Sequence, residues 1–261
     1  MNNTFSSAAS LQGRVIWALC LREIHGKHGK FRIGYLWQLI KTGFSVAVFW
    51  WIRERAMFHA PQGLSTPIFL LTGFITWFMF VETLNMTMEA VRTNAALLTF
   101  PQVTPLDLCL SSAVVAAGTE VVVMGIFLAC LWAAGYDTAI YNLMIFMAAL
   151  IGVTLLGLGV GLVLLALNYY IPIIEKLVPM VTRILFLTTG VFFSPAQMSA
   201  ASGNTIMWLP TANYIELMRG VFVGSKPHDL VKIEYTVCLT IGLLVLGLLL
   251  ERHVRPLQGK V

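Results

Sequence analysis

The chain has 261 residues, of which 58% are hydrophobic and only 11% charged, with a mean hydropathy of +0.81 and a net charge of +5. Soluble domains carry about 25% charged residues, so this composition excludes an ordinary soluble domain and reads as an all-α polytopic membrane protein. The length leaves no room for a fused nucleotide-binding domain, and no Gly-x-x-x-x-Gly-Lys-Ser/Thr phosphate loop occurs in the sequence; if ATP drives this protein, another chain binds it.

Residues 1–12 are polar and uncharged, without the charged-then-apolar order of a cleaved signal peptide, so insertion is expected to rely on the first membrane helix. Leu11, Val15, Ala18, Leu19 and Arg22 then recur at helical spacing, while Arg14, Arg22 and Glu23 interrupt the apolar surface. This pattern predicts an amphipathic helix in the membrane interface, too charged to span. Gly29-Lys30-Phe31-Arg32-Ile33-Gly34-Tyr35-Leu36-Trp37 joins it to the first long apolar run. Lys27, Lys30 and Arg32 stand just before the hydrocarbon, and Phe31, Tyr35 and Trp37 favour the headgroup layer, which places the junction at the cytoplasmic face.

Six spans are predicted, at 34–58, 67–82, 108–134, 140–167, 177–193 and 233–250. The second is short against the roughly 20 residues a bilayer needs. Between spans two and three, residues 85–107 turn polar but stay helix-compatible until Pro101 and Pro105, forming the longest inner loop. Gly157 and Gly161 in span four make a Gly-x-x-x-Gly pair, which serves either a dimer seam or close packing within the chain. Pro179 is expected in the first turn of span five, where proline is tolerated. Residues 196–232 are too polar to span and predict one or two short re-entrant helices at the outer interface.

The chain therefore divides into a cytoplasmic tail with an interfacial helix (1–32), a six-helix transmembrane domain (33–251) and a short cytoplasmic tail (252–261). Ten of the 17 lysines and arginines fall on segments placed inside, five on segments placed outside and two, Lys41 and Arg183, within spans; the positive-inside rule favours both termini in the cytoplasm. Cys20, Cys109, Cys130 and Cys238 stand apart with no Cys-x-x-Cys spacing, and the five histidines form no metal-binding pattern. Packing is the expected role of the cysteines, and no metal site is expected.

Three stretches carry a family resemblance. The Gly29 to Trp37 passage, preceded by Leu21-Arg22-Glu23-Ile24, resembles the head of the membrane subunits of type-2 ABC exporters, above all those that export capsule polysaccharide. Leu97-Leu98-Thr99-Phe100, followed by Val103-Thr104-Pro105-Leu106-Asp107, is similar to the passage that forms the family's coupling helix, which docks into the ATPase. Trp208-Leu209-Pro210, followed by Glu216-Leu217-Met218-Arg219, is similar to a motif found before the last helix of these permeases. With the six-helix layout, the resemblance covers nearly the whole chain. Phe100-Pro101-Gln102-Val103 stands where capsule exporters often carry a more basic Tyr-Arg-Pro-Val type of sequence, a departure at the ATPase contact.

The resemblance implies a homodimer bound to two copies of an ABC ATPase subunit, which would hold ATP and Mg, with no cofactor and no catalytic residue in this chain. It also implies a lipid-linked capsular polysaccharide as cargo, periplasmic export partners, no nucleic acid, and a bacterial inner-membrane location. Arg22, Lys27, Lys30 and Arg32 would meet a lipid headgroup, and Glu89, Arg92, Asn94, Leu97, Leu98 and Phe100 would couple to the ATPase.

A path for an acidic glycan needs cations and aromatic faces. Lys41, Trp50, Trp51, Arg53, Arg55 and Arg183 are the candidates. The alternative for the cluster at the end of span one is an aromatic belt with arginines at the headgroups, and for Arg183 it is snorkelling to the inner headgroups. A Glu120 to Arg183 pair is one expectation. Glu216 and Arg219, three apart on one helical face, are expected to pair and hold the outer helices. Rival readings are an exporter of O-antigen, teichoic acid or a small amphiphile, a lipid-modifying enzyme, for which no convergent acid and base are found, and a proton-coupled transporter, for which Glu82 and Glu120 would have to titrate and against which the missing internal repeats of this sequence count.

Overall fold

The computed structural model describes residues 2–26, 33–56, 63–100, 102–198, 200–224 and 231–258. Lys27, Lys30 and Arg32 lie outside the described residues. The chain runs α1 (Asn2–Gly26), α2 (Ile33–Arg55), α3 (Thr66–Thr93), α4 (Pro105–Ala133), α5 (Leu143–Tyr170), α6 (Ile174–Thr188), α7 (Ala200–Ile206), α8 (Pro210–Val223) and α9 (Ile233–Gln258), with 3-10 turns at Ala95–Thr99 and Pro195–Gln197. The six expected spans correspond in position to α2, α3, α4, α5, α6 and α9. Four of these, α3, α4, α5 and residues 233–255 of α9, are long and apolar enough to cross a membrane.

Helix α3 is the centre of the bundle and is buried over most of its length, from Pro67 to Ala90. It packs on α5, and α5 packs on α9, through glycines. A Cβ at Gly157 would stand 2.9 Å from both the Phe80 carbonyl oxygen and Thr83 Cβ, and one at Gly161 would stand 2.7 Å from Thr87 Cβ. On another side of α5, a Cβ at Gly159 would meet the Leu244 nitrogen at 2.9 Å, and Gly247 of α9 comes as close to the Gly159 carbonyl. Lipid chains are as apolar as leucine, so helix association in a bilayer depends on such close van der Waals fit. The Gly-x-x-x-Gly pair is thus an intrachain seam against α3.

Three boundaries differ from expectation for physical reasons. Span two is not a short helix of 16 residues followed by a loop: α3 has 28 residues and continues to Thr93. Its polar second half stays helical because Thr83 and Thr87 fill the notches left by Gly157 and Gly161, while Met88 and Ala90 remain buried. Pro179 lies inside α6, because that helix starts at Ile174; having no N–H, it cannot donate to the Glu175 carbonyl one turn earlier. Helix α6 also ends at Thr188, where Gly190 takes φ 80° and turns the chain.

The start of α4 is fixed by a capping box. Thr104 Oγ1 accepts the Asp107 N–H at 3.3 Å, and Asp107 Oδ2 accepts the Thr104 N–H at 2.9 Å, with Pro105 opening the helix. Gln12 Nε2 of α1 donates to Asp107 Oδ1 at 2.5 Å.

Gly157→Leu or Gly161→Leu should destabilise the detergent-solubilised protein by at least the ~1–3 kcal/mol typical of overpacking. Gly125→Leu, where nothing lies within 4 Å, should leave the melting profile near that of the parent chain. Size-exclusion profiles after a temperature series would check both.

Candidate functional site

At one end of the bundle the chain between α6 and α7 leaves helical geometry, and its carbonyls need donors. Arg219 of α8, 0% exposed, supplies them. Its Nη1 donates to the carbonyls of Gly190 at 2.9 Å and Phe193 at 3.2 Å, and its Nη2 donates to that of Val191 at 2.8 Å. Arg53 of α2 donates from Nη1 to the remaining carbonyl, Phe192, at 2.6 Å. Four consecutive carbonyls, 190 to 193, are thus held by two arginines. Glu216 Oε1 balances Arg219 at 2.7 Å, so the expected pair forms. Both guanidinium groups stand over the Phe69 ring, Arg219 at 3.6 Å and Arg53 at 4.9 Å. Gly73 makes the room: a Cβ there would lie 2.9 Å from Arg219 Nη2 and 3.0 Å from the Val191 carbonyl.

The residues expected along a substrate path do not form one cluster. Arg53 turns into the protein. Trp50 sits edge-on to Tyr136, with ring centres 6.1 Å apart. Trp51 and Arg55 remain exposed together, the guanidinium 5.6 Å from the indole. Lys41 Nζ stands 4.1 Å from the centre of Phe78. Arg183 is exposed on α6 beside Met180, Val181, Ile184 and Leu187, which are exposed as well. It does not meet Glu120: that carboxylate is buried on α4 and takes its hydrogen bond from Gln38 Nε2 of α2, with Lys41 and Glu82 its charged neighbours. Gln38 went unnoticed in the sequence, although it is a polar residue in an apolar run.

At the opposite end, α1 is braced against the start of α4 and the end of α3. Arg22 donates from Nη2 to Asn94 Oδ1, and Ser112 Oγ donates to the Glu23 carboxylate at 2.9 Å. Asn94 Nδ2 donates back to the Ala90 carbonyl at 3.0 Å, closing α3. Arg92 pairs with Glu175 at 2.7 Å, tying α3 to α6. The 3-10 turn that follows turns Leu97 and Leu98 towards Leu19, Ala90 and Leu108, leaving Phe100 59% exposed. An apolar cavity of about 390 Å³ lies between α1 and this turn, lined by Val15, Ala18, Leu19, Arg22, Phe100, Gln102 and Val103. A second, acidic one of about 260 Å³ is lined by Glu23, Glu82, Glu89, Asn94 and Ser112 among others. Glu89 and Arg92 therefore sit on the last turns of α3, and Asn94, Leu97, Leu98 and Phe100 form the corner beyond it.

Arg219→Ala leaves Glu216 and the carbonyls of Gly190, Val191 and Phe193 without their donor and should cost about 3–5 kcal/mol, the usual penalty for breaking a buried pair from one side. Arg219→Met combined with Glu216→Leu should lie between that variant and the parent chain, read as melting temperatures in detergent.

The ABC-2 type transporter family matches residues 14–223 of this chain. The chain is 26% identical to the polysialic acid transport protein KpsM of Escherichia coli over 246 residues, covering 94% of this chain and 95% of that protein. It is 24% identical over 254 residues to the capsule polysaccharide export inner-membrane protein BexB of Haemophilus influenzae, covering 96% and 94% respectively. With CtrC of Neisseria meningitidis, another capsule polysaccharide export inner-membrane protein, it shares 25% identity over 251 residues, covering 94% and 92%. The likeness runs nearly end to end, taking in the helical bundle, the 95–100 corner and the Arg219 clamp. The chain belongs to the ABC-2 type transporter family, as a non-catalytic membrane permease subunit related to the capsule-polysaccharide export proteins.

Proposed function

We propose that this chain is the permease of an ATP-driven exporter that moves a lipid-linked capsular polysaccharide across the bacterial inner membrane. The near full-length likeness to three kinds of capsule-export permease carries the cargo class. In this reading two copies associate and bind two copies of an ABC ATPase, which holds ATP and Mg, and the exporter meets periplasmic partners on its outer side. Helix α2, and α6 together with the non-helical segment held by Arg53 and Arg219 after it, complete six spans. At 1.5 Å per residue the 23 residues of α2 reach the roughly 30 Å of a hydrocarbon core. Both termini face the cytoplasm, α1 lies in the inner interface, and α7 and α8 form the re-entrant outer layer.

The coupling step follows from the α1 end. Phe100 projects from a turn whose Leu97 and Leu98 are packed against the bundle, and the same corner is tied to α1 through Arg22 and Asn94. A push there by the ATPase would move α1 and the α3–α4 corner as one body rather than melt a loop. Arg22, with Lys27, Lys30 and Arg32 after it, gives the lipid phosphate a cationic landing at the inner leaflet. Lys41, Arg183 and the Trp51–Arg55 pair then serve the acidic polymer as weak contacts along α2 and α6, where many modest sites favour passage over capture.

The test is ATPase activity of the permease co-purified with its ABC ATPase in nanodiscs, with and without the host's lipid-linked capsule glycan. Phe100→Ala should weaken ATPase association about 10-fold, as loss of a central interface aromatic does. Arg183→Ala and Arg55→Ala should lower the glycan-stimulated rate and leave the basal rate intact. Failure of the chain to bind any ABC ATPase would overturn the reading.

A further inference from the structure

We infer that Trp208, Lys232 and Tyr235 form a notch that binds an acidic sugar residue of the departing glycan, an assignment that rests on the export reading above. Trp208 stands in the turn between α7 and α8 and is 56% exposed, although Met207 beside it is buried. Lys232 Nζ lies 4.1 Å from the centre of the indole. Tyr235, in the first turn of α9, packs edge-on against the same indole with ring centres 5.1 Å apart and planes at 76°. Its hydroxyl donates to the Trp208 carbonyl at 3.2 Å.

A buried brace holds these groups in register. Asn213 Nδ2 donates to the carbonyls of Met207 at 2.7 Å and Leu209 at 3.1 Å, the two residues that flank Trp208. Its Oδ1 accepts the Lys232 N–H at 2.8 Å. One side-chain amide thus sets the indole's backbone against that of the lysine. A tryptophan that only anchors a protein among headgroups needs no fixed distance to one particular ammonium. One that stacks on the C–H face of a sugar while a cation meets the sugar's carboxylate does need it. Glu234 is exposed in the first turn of α9 and adds a negative charge beside the notch. Binding then depends on a single ammonium and stays modest, as a site on a moving polymer's route requires. The notch lies at the end of the bundle opposite α1 and the 95–100 corner, where a polymer driven from the ATPase side would emerge.

The experiment places a photo-crosslinking residue, as Trp208→p-benzoylphenylalanine and separately Tyr235→p-benzoylphenylalanine, in the full permease expressed in its capsule-forming host. Light should give an adduct carrying capsule glycan at 208 or 235, only when the ATPase is active. Lys232→Gln should reduce it several-fold and Lys232→Arg should restore it. The same residue at Trp132, 71% exposed on α4, should give no glycan adduct. The notch is overturned if capsule reaches the surface while 208 and 235 yield no adduct, yield only lipid or protein adducts, or label no better than 132. If the unsubstituted chain binds its ATPase yet sends no capsule to the surface, the export reading fails, and the notch with it.

Discussion

A non-helical segment inside a membrane bundle must have its carbonyls satisfied from within the protein, because hydrocarbon offers no donor. Here that demand falls on residues 190–193, and two arginines meet it. Arginine suits the task better than lysine, since its planar guanidinium presents several fixed donors at once and never loses its charge. Burying that charge is costly, typically several kcal/mol even after relaxation; the Glu216 carboxylate and the Phe69 ring offset it for Arg219. Much else at this end follows. Gly73 has to be small, α8 has to sit under the segment, and α2 is tied to the bundle at Arg53.

The two ends of the molecule are held by different kinds of bond. The clamp end rests on a fully buried pair. The α1 end rests on contacts at the water boundary, of which Arg92 with Glu175 is a largely exposed ion pair and contributes about 0–1 kcal/mol. Arg22 with Asn94 is exposed too, while Gln12 and Glu23 reach the more protected Asp107 and Ser112. Elements held by exposed contacts open at lower free energy than a buried core does. The α1 end is therefore the softer part of the fold and the clamp end the stiffer, and in the proposed export reading it is the α1 end that a partner ATPase would push.

Much of this was legible in the sequence, and what was not had a physical reason. Apolar runs at membrane length revealed the bundle, and the spacing of Glu216 and Arg219 revealed their pairing, because both signals are local. The length of α3 was hidden because the polar residues Thr83 and Thr87 face glycines of another helix; a helix buried among helices need not look apolar. The partner of Glu120 was hidden because Gln38 is 82 residues away. Arg53 read as an exposed cation beside Arg55, yet positions two apart on a helix point to nearly opposite sides, and the Phe192 carbonyl captures one of the two. Seating of the Gly-x-x-x-Gly pair was undecidable from spacing alone, since the motif is the same for a neighbour in the chain and a neighbour in a dimer.

The contrast between the four strongly apolar helices and the other two bears on mechanism. Helix α2 carries Gln38, Lys41, Arg53, Glu54 and Arg55, and α6 carries Glu175, Lys176 and Arg183 within 15 residues. Facing lipid at mid-membrane, an arginine such as Arg183 would cost about 2.5–3.5 kcal/mol on insertion scales, whereas facing water or a polar polymer it would cost little. A helix that lines a conduit is apolar on one side only. The charges that α2 and α6 carry are therefore what the proposed export reading asks of two helices along which an acidic chain would travel, whereas α3, α4, α5 and residues 233–255 of α9 have the length and apolar composition of plain membrane spans.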